Sequence, residues 1–384
     1  MVFSSIPFLF FFFPAFLLCY FLLPKQCRNY VLLFFSLLFY AWGEPVYAFL
    51  MIGVSFSDYL IGRLMHKCSG RPLAKKICLL VSVIIDLAAL GFFKYADFLV
   101  DIVNQLIGTK IPLLSLALPI GISFFVFQSL SYTIDLYRGE VTVEKSYLDY
   151  LMYVSMFPQL IAGPIVRFQT VREELHHRTI QREEFFAGGM RFLTGLFKKV
   201  LIANQLGLLF EAAKQTPAEE LGVAMAWLGA IAFTLQLYFD FSAYSDMAIG
   251  LGLMLCFHFM ENFRYPLAAD SVTEFWRRWH ISLSTWFRDY VYIPLGGNRC
   301  RVGRHLFNIA VVWFLTGMWH GAAWNYVLWG VYYGVLLCLE KYVWGKGLKK
   351  LPAFVRHLYL LLIVIVGFTV FAIEDLNVAF SYLG

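Results

Sequence analysis

Apolar runs close to the roughly 20 residues that carry a helix across a bilayer recur from one end of this chain to the other, and nothing else in the sequence restricts its fold as tightly. Inside lipid the backbone must satisfy its own amides and carbonyls, so such runs are read as helices. They fall at residues 2–23, 77–93, 113–136, 147–165, 185–209, 221–259, 306–314, 322–339 and 358–373, with two short arms on either side of a Gly43-Glu44-Pro45 turn. The run at 221–259 is long enough for more than one element. The expectation is an all-α polytopic membrane protein with roughly nine to eleven transmembrane or re-entrant helices. Only 15% of the 384 residues are charged and no charged stretch is long enough for a soluble domain, so one membrane domain over 1–384 is expected.

Basic residues give the orientation. Lys25 and Arg28 follow the first run, and Arg63, Lys67, Arg71, Lys75 and Lys76 form a second basic loop. Both are expected to face the cytoplasm, with a helical hairpin between them and the N-terminus outside. Residues 2–23 carry no basic leader and run past the short apolar core of a secretory signal, so they read as an uncleaved first span. The net charge of +6 comes mainly from such loops and reads as membrane orientation rather than nucleic-acid binding. Seven cysteines with no CxxC pair and no ligand spacing suggest neither disulfides nor a metal.

Polar residues inside apolar runs are the candidates for chemistry, because each costs on the order of a few kcal/mol to insert. His320 lies in WFLTGMWHGAAWNYVLWG, between Gly317 and Gly321, small neighbours that let a helix or a substrate approach closely. Catalysis and a structural hydrogen bond both fit an isolated histidine there. Residues 262–304 hold seven arginines against Asp270, Glu274 and Asp289, a basic cytoplasmic or interfacial element. Read as one helix, this element puts Trp276, His280, Leu283 and Phe287 on one face and Arg277, Ser284 and Arg288 on another. The turn from Pro294 to Arg299 offers backbone amides beside a cation, either a phosphate cradle involving Asn298 and Arg299 or an ordinary Gly-Gly turn. Gln236, Asp240 and Tyr244 share a helical face; Asp240 or Asp246 orients a histidine, pairs with an arginine of the basic block, or joins two helices. Gln128, Tyr132 and Asp135 make a similar stripe that lines a passage or bonds helices. His176 and His177 read as solvated, and His66, His258, His305 and His357 show no partner in sequence.

FWRRWHISLSTWFRDYVYIPLGGNR followed by TGMWHGAAWNYVLWG resembles the membrane-bound O-acyltransferase (MBOAT) family. LPIGISFFVFQSLSYTIDLYRGE, FPQLIAGPIVRF and YFDFSAYSDMAIGLG extend the likeness, in order, over nearly the whole chain. It is most similar to the bacterial branch containing the alginate O-acetylation protein and its peptidoglycan and cellulose counterparts. The D-alanyl exporters of the teichoic acid pathway share WHISLSTWFRDY, but the IPLGGNR continuation favours the acetylating branch. The resemblance implies that His320 matches the family's invariant histidine near the middle of a central pore, and that His280 matches its second motif histidine. Similar proteins continue beyond FAIEDLNVAFSYLG, which implies that a terminal portion is absent here.

The expected function is transfer of an acyl group, most simply acetyl, from a cytoplasmic thioester to an extracytoplasmic hydroxyl on a polysaccharide or partner protein at the bacterial inner membrane. In that expectation His320 is the general base and His280, with Arg277 or Arg288, receives the donor. Trp279 and Trp286 line the entrance, while Trp319, Asn298 and Arg299 complete the substrate contacts. Acetyl-CoA or another acyl thioester is the implied donor substrate, with no bound cofactor. The implied partners are the lipid bilayer, an extracytoplasmic acetyltransferase- or esterase-like protein and a polysaccharide synthase. The alternatives are D-alanyl transfer, a proton-coupled transporter that uses His320, Asp240 and Asp135, and a non-catalytic assembly platform for a synthase.

Overall fold

The computed structural model describes residues 1–217 and 220–383, and every regular element among them is helical. The chain forms two compact units, one of Met1–Leu196 with Asp246–Met260, the other of Phe197–Ser245 with Glu261–Gly384.

The first unit opens with α1 (Phe13–Leu22), α2 (Arg28–Gly43), α3 (Pro45–Lys67), α4 (Pro72–Ile107), α5 (Ile122–Arg138) and α6 (Tyr147–Ser155). Glu44 alone separates α2 from α3, and Pro45 starts α3 where a missing amide loses no hydrogen bond. The expected hairpin is present, but its arms are unequal. At 23 residues α3 is long enough to cross by itself, because Asp58 does not interrupt it: its carboxylate accepts the Ser82 hydroxyl of α4 at 2.7 Å. The 77–93 run is only the middle of α4, whose 36 residues span about 54 Å at 1.5 Å each. Gly108, left-handed at φ 72°, ends it. The 113–136 run is helical only from Ile122. Before that the chain is irregular, with the Asp97 carboxylate accepting the amides of Leu114 and Ser115 at 2.7 and 2.9 Å.

Part of the phenylalanine content is explained by one cluster. The rings of Phe12 and Phe16 meet Phe35 and Phe157 edge-on with centroids 5.1–5.5 Å apart, each such pair adding about 0.5–1.5 kcal/mol beyond area burial.

Two long helices follow, α7 (Arg182–Gln215) and α8 (Val223–Met254). The 221–259 run therefore forms one helix of 32 residues rather than two elements. Its two carboxylates do not break it because each meets a cation from α7. Arg191 grips Asp246 at 2.9 Å, and Lys199 meets Asp240 at 2.8 Å.

The second unit continues with α9 (Val272–Arg278), α10 (Ile281–Phe287), α11 (Val302–His320), α12 (Trp324–Leu339), α13 (Ala353–Ala372) and α14 (Leu376–Leu383). Its core gathers Phe275, Trp279, Trp329, Tyr333, Leu360 and Phe368. The α11 and α12 backbones cross at Gly317 and Gly330, where a Cβ on Gly317 would meet the Tyr326 carbonyl and one on Gly330 the Trp313 carbonyl. The close approach expected beside His320 is thus filled by a helix.

Among the described residues five helices, α3, α4, α7, α8 and α13, are long and apolar enough to cross a membrane by length and composition. The helices α2 and α5, with 16 and 17 residues, lie at the lower limit of a full span.

Candidate active site

The expected single helix through His280 is broken at that residue. His280 is left-handed, at φ 45° and ψ 55°, and separates α9 from α10. Such a conformation is uncommon away from glycine and is held here by the segment preceding α9. Arg264 donates its amide to the Arg278 carbonyl, and Ile281 donates its own to the Asn262 carbonyl, both at 3.0 Å. These two bonds take the place of helical ones on either side of the bend. Helical periodicity cannot register them, since both partners lie more than ten residues upstream.

The start of α9 is anchored too. Ser271 caps it by accepting the Glu274 amide, and the buried Glu340 carboxylate accepts the amides of Val272 and Thr273 at 2.8 and 2.9 Å. A carboxylate on the free amides of a helix N-terminus is favoured by both hydrogen bonding and the helix dipole.

His280 is buried, with Phe241 edge-on to its ring at 4.7 Å and Trp319 at 5.7 Å. Its Nδ1 lies 3.0 Å from the Asn262 Oδ1. His280 stands outside the five spanning helices, and burial first, then the charge of His320, pull its pKa well below the usual imidazole value. The neutral form therefore dominates near pH 7.

His320 ends α11 and is half-buried. The rings of Trp319, Trp329 and Phe371 stand edge-on to it with centroids 4.9, 4.9 and 5.1 Å away. Trp319 thus packs against both imidazoles. His280 and His320 line one cavity of about 240 Å³ together with Trp279, Arg277, Arg288 and Thr316. Arg277 pairs with Glu274 at 3.4 Å, and Arg288 with Asp289 at 2.7 Å. A second cavity of about 780 Å³ shares Thr273, Arg277 and Leu337 with the first. Its wall carries Arg277, Arg278, Lys341, Lys346, Lys349 and Arg356 against Asp270, Glu274 and Glu340. The three lysines were missed in sequence, although the run KYVWGKGLKK displays them.

Several candidates lie elsewhere. Trp286 is buried against Phe287 and Tyr290 and is not part of the smaller cavity's wall. Asn298 and Arg299 are exposed in the Gly-Gly turn. In that turn the amides of Gly296 and Gly297 bond the carbonyls of Ile293 and Tyr292, and Asn308 donates to the Gly297 carbonyl at 3.0 Å. Asp240 joins Lys199 rather than a histidine or the basic block, and Gln236 reaches it at 3.5 Å. Gln128, Tyr132 and Asp135 are buried in the first unit, where the Tyr132 hydroxyl accepts the Glu144 amide at 3.0 Å.

Four of the other histidines have structural partners. His176 is exposed but meets Glu144 at 2.9 Å, and His305 is held between the hydroxyls of Tyr292 and Tyr342, each at 2.8 Å. His357 faces the Ala269 carbonyl at 2.8 Å. His258, on the surface of the first unit, meets Glu174 at 2.6 Å and Glu184 at 3.5 Å. Sequence gave no sign of these pairings because every partner is distant along the chain or on another element.

The chain matches the MBOAT, membrane-bound O-acyltransferase, family over residues 109–384. It is 44% identical to the probable alginate O-acetylase AlgI of Pseudomonas aeruginosa over 99% of this chain and 73% of that protein. It is 33% identical to the peptidoglycan O-acetyltransferase of Helicobacter pylori over 89% of this chain and 70% of that one. To the teichoic acid D-alanyltransferase of Bacillus subtilis it is 27% identical, over 61% of this chain and 62% of the other.

Proposed function

The chain belongs to the membrane-bound O-acyltransferase family, and from that premise we propose how this integral membrane O-acyltransferase works. It moves an acetyl group from a cytoplasmic thioester, acetyl-CoA or another acyl carrier, to an extracytoplasmic hydroxyl on a polysaccharide or a partner protein. Roughly nine to eleven membrane segments surround a central pore in the bacterial inner membrane. The observation that carries the reading is that two imidazoles from different elements line one cavity inside the second unit.

The hydroxyl oxygen attacks the thioester carbonyl while His320 takes its proton. Collapse of the tetrahedral intermediate forms the ester and expels the thiolate, which takes the proton from the His320 imidazolium and leaves the base neutral again. A positioned base of this kind contributes roughly 10²–10⁴-fold. His280 orients the donor in the same cavity, and Trp279 and Trp319 shield the reacting atoms from water. The larger cavity, with six Lys or Arg side chains against three carboxylates, suits the phosphates of a nucleotide-bearing or phosphopantetheine-bearing donor. Arg277 stands in the walls of both cavities and guides the donor from one to the other. An acetyl cargo is favoured over D-alanyl by the higher identity and fuller coverage of the acetylating relatives.

The test is the ester content of the cell-surface polysaccharide in a strain whose own copy of the gene is deleted and replaced by His320→Ala. Loss of acetyl esters with normal protein level and normal polymer yield is expected. Retained esters would contradict a chemical role for His320, and lost polymer would point to an assembly platform.

A further inference from the structure

Asn262 lies in the segment before α9, 18 residues from His280 in sequence, yet its side chain is completely buried against that histidine. Its Oδ1 accepts the Ser282 hydroxyl at 2.9 Å and the Ser282 amide at 3.3 Å, and stands 3.0 Å from the His280 Nδ1. Its Nδ2 donates to the Ser245 Oγ at 3.0 Å. The Ser282 amide has only a proton to offer, so the atom facing it is the oxygen of the Asn262 amide. Across 3.0 Å from that oxygen, an unprotonated Nδ1 would set lone pair against lone pair in a buried site. The His280 Nδ1 therefore carries the proton. At the other end of the ring Nε2 is buried with no hydrogen-bond partner among the described residues. Leaving a buried acceptor in that state is unfavourable, and a substrate able to donate to it would remove that penalty.

We propose that Asn262 is the positioning residue of this site, holding His280 as the Nδ1–H tautomer so that Nε2 presents a fixed lone pair to an N–H or O–H of the bound substrates. The proposal rests on the reading that the two histidines share one reaction site. It assigns His280 an acceptor's role, not that of a cation binding phosphate. The phosphates of the donor are left to the arginines and lysines of the larger cavity. Ser245 and Ser282 act through Asn262, one holding its amide nitrogen and the other its oxygen.

The first measurement needs no turnover. Nitrogen-15 spectra of histidine-labelled wild-type protein in lipid, with His280 assigned by its loss in His280→Gln, are expected to show a protonated Nδ1 and a bare Nε2. The reverse pattern overturns the proposal. The second uses membranes supplied with radiolabelled acetyl-CoA. Asn262→Ala is expected to lower kcat at least about 10-fold with normal protein level, in the direction seen when a catalytic histidine is released into the wrong tautomer. Asn262→Asp keeps an acceptor on Nδ1 and adds a charge that favours the imidazolium, so activity is retained while the acid limb of the pH–rate profile moves to higher pH. The titratable group facing His280 is His320, and Arg277 and Arg288 line the same cavity. An Ala variant with the wild-type kcat, or an Asp variant whose acid limb does not move, overturns the positioning role. Activity surviving in His320→Ala would instead overturn the reaction site itself and leave the tautomer measurement standing.

Discussion

At the scale of single residues, the site depends on side chains whose partners are remote in sequence. His280 and His320 were legible because an imidazole in an apolar, aromatic run is costly enough to demand a reason. Asn262 was not, since an asparagine at the edge of a basic block looks like surface until a backbone pairing brings it under His280. Glu340 was equally hidden, 67 residues from the amide of Thr273 that it accepts. Replacing it with Ala strips two amides at the start of α9 and is expected to cost about 1–2 kcal/mol, read as a lower melting temperature in detergent. His258 offers a pH signature outside the membrane helices. Its hydrogen bond to Glu174 first, and then the Glu174 and Glu184 charges, raise its pKa above the ordinary 6.5 against the effect of burial. Because the folded pKa is the higher one, this stabilisation is complete below pH 6.5 and fades as pH rises through the folded value. Melting temperature should therefore fall slightly between about pH 6 and 8 in the wild type and less so in His258→Gln, a small effect because His258 is exposed.

At the scale of elements, apolar runs located the long helices but not their ends, the 77–93 run being only the middle of α4. The 221–259 run left open whether its two carboxylates serve a histidine, the basic block or a second helix, because the Lys199 and Arg191 that pair with them come from α7. Nor does amphipathic spacing contain the left-handed bend at His280. The Asp240 pair can be tested as a pair. Asp240→Ala leaves an ammonium between two helices and is expected to destabilise by roughly 1–3 kcal/mol, whereas Lys199→Met with Asp240→Leu restores most of the loss. Equal melting temperatures for the single and double variants would contradict an interhelical role. The α11–α12 crossing is as specific: Gly317→Val drives a side chain into the Tyr326 carbonyl and is expected to cost at least about 1–3 kcal/mol and to displace His320.

At the scale of the whole molecule, membrane residence follows from the apolar runs, and family membership from the motifs around the two histidines. Charge predicts the orientation: the basic loop at 63–76 is expected to face the cytoplasm, and the 108–120 segment at the far end of α4 to face outward. In a cysteine-free background, Gly70→Cys should react with an impermeant maleimide only after the membrane is opened, and Thr109→Cys in intact spheroplasts. The reverse pattern would invert the direction of acyl transfer. The central claim is that His320 performs the chemistry inside the cavity it shares with His280. Its most direct measurement is acetyl transfer from radiolabelled acetyl-CoA by purified protein in lipid, comparing wild type with His320→Asn at matched melting temperature. The expected result is a fall in kcat of roughly 10²–10⁴-fold. Turnover within a few-fold of wild type in the Asn variant would contradict it.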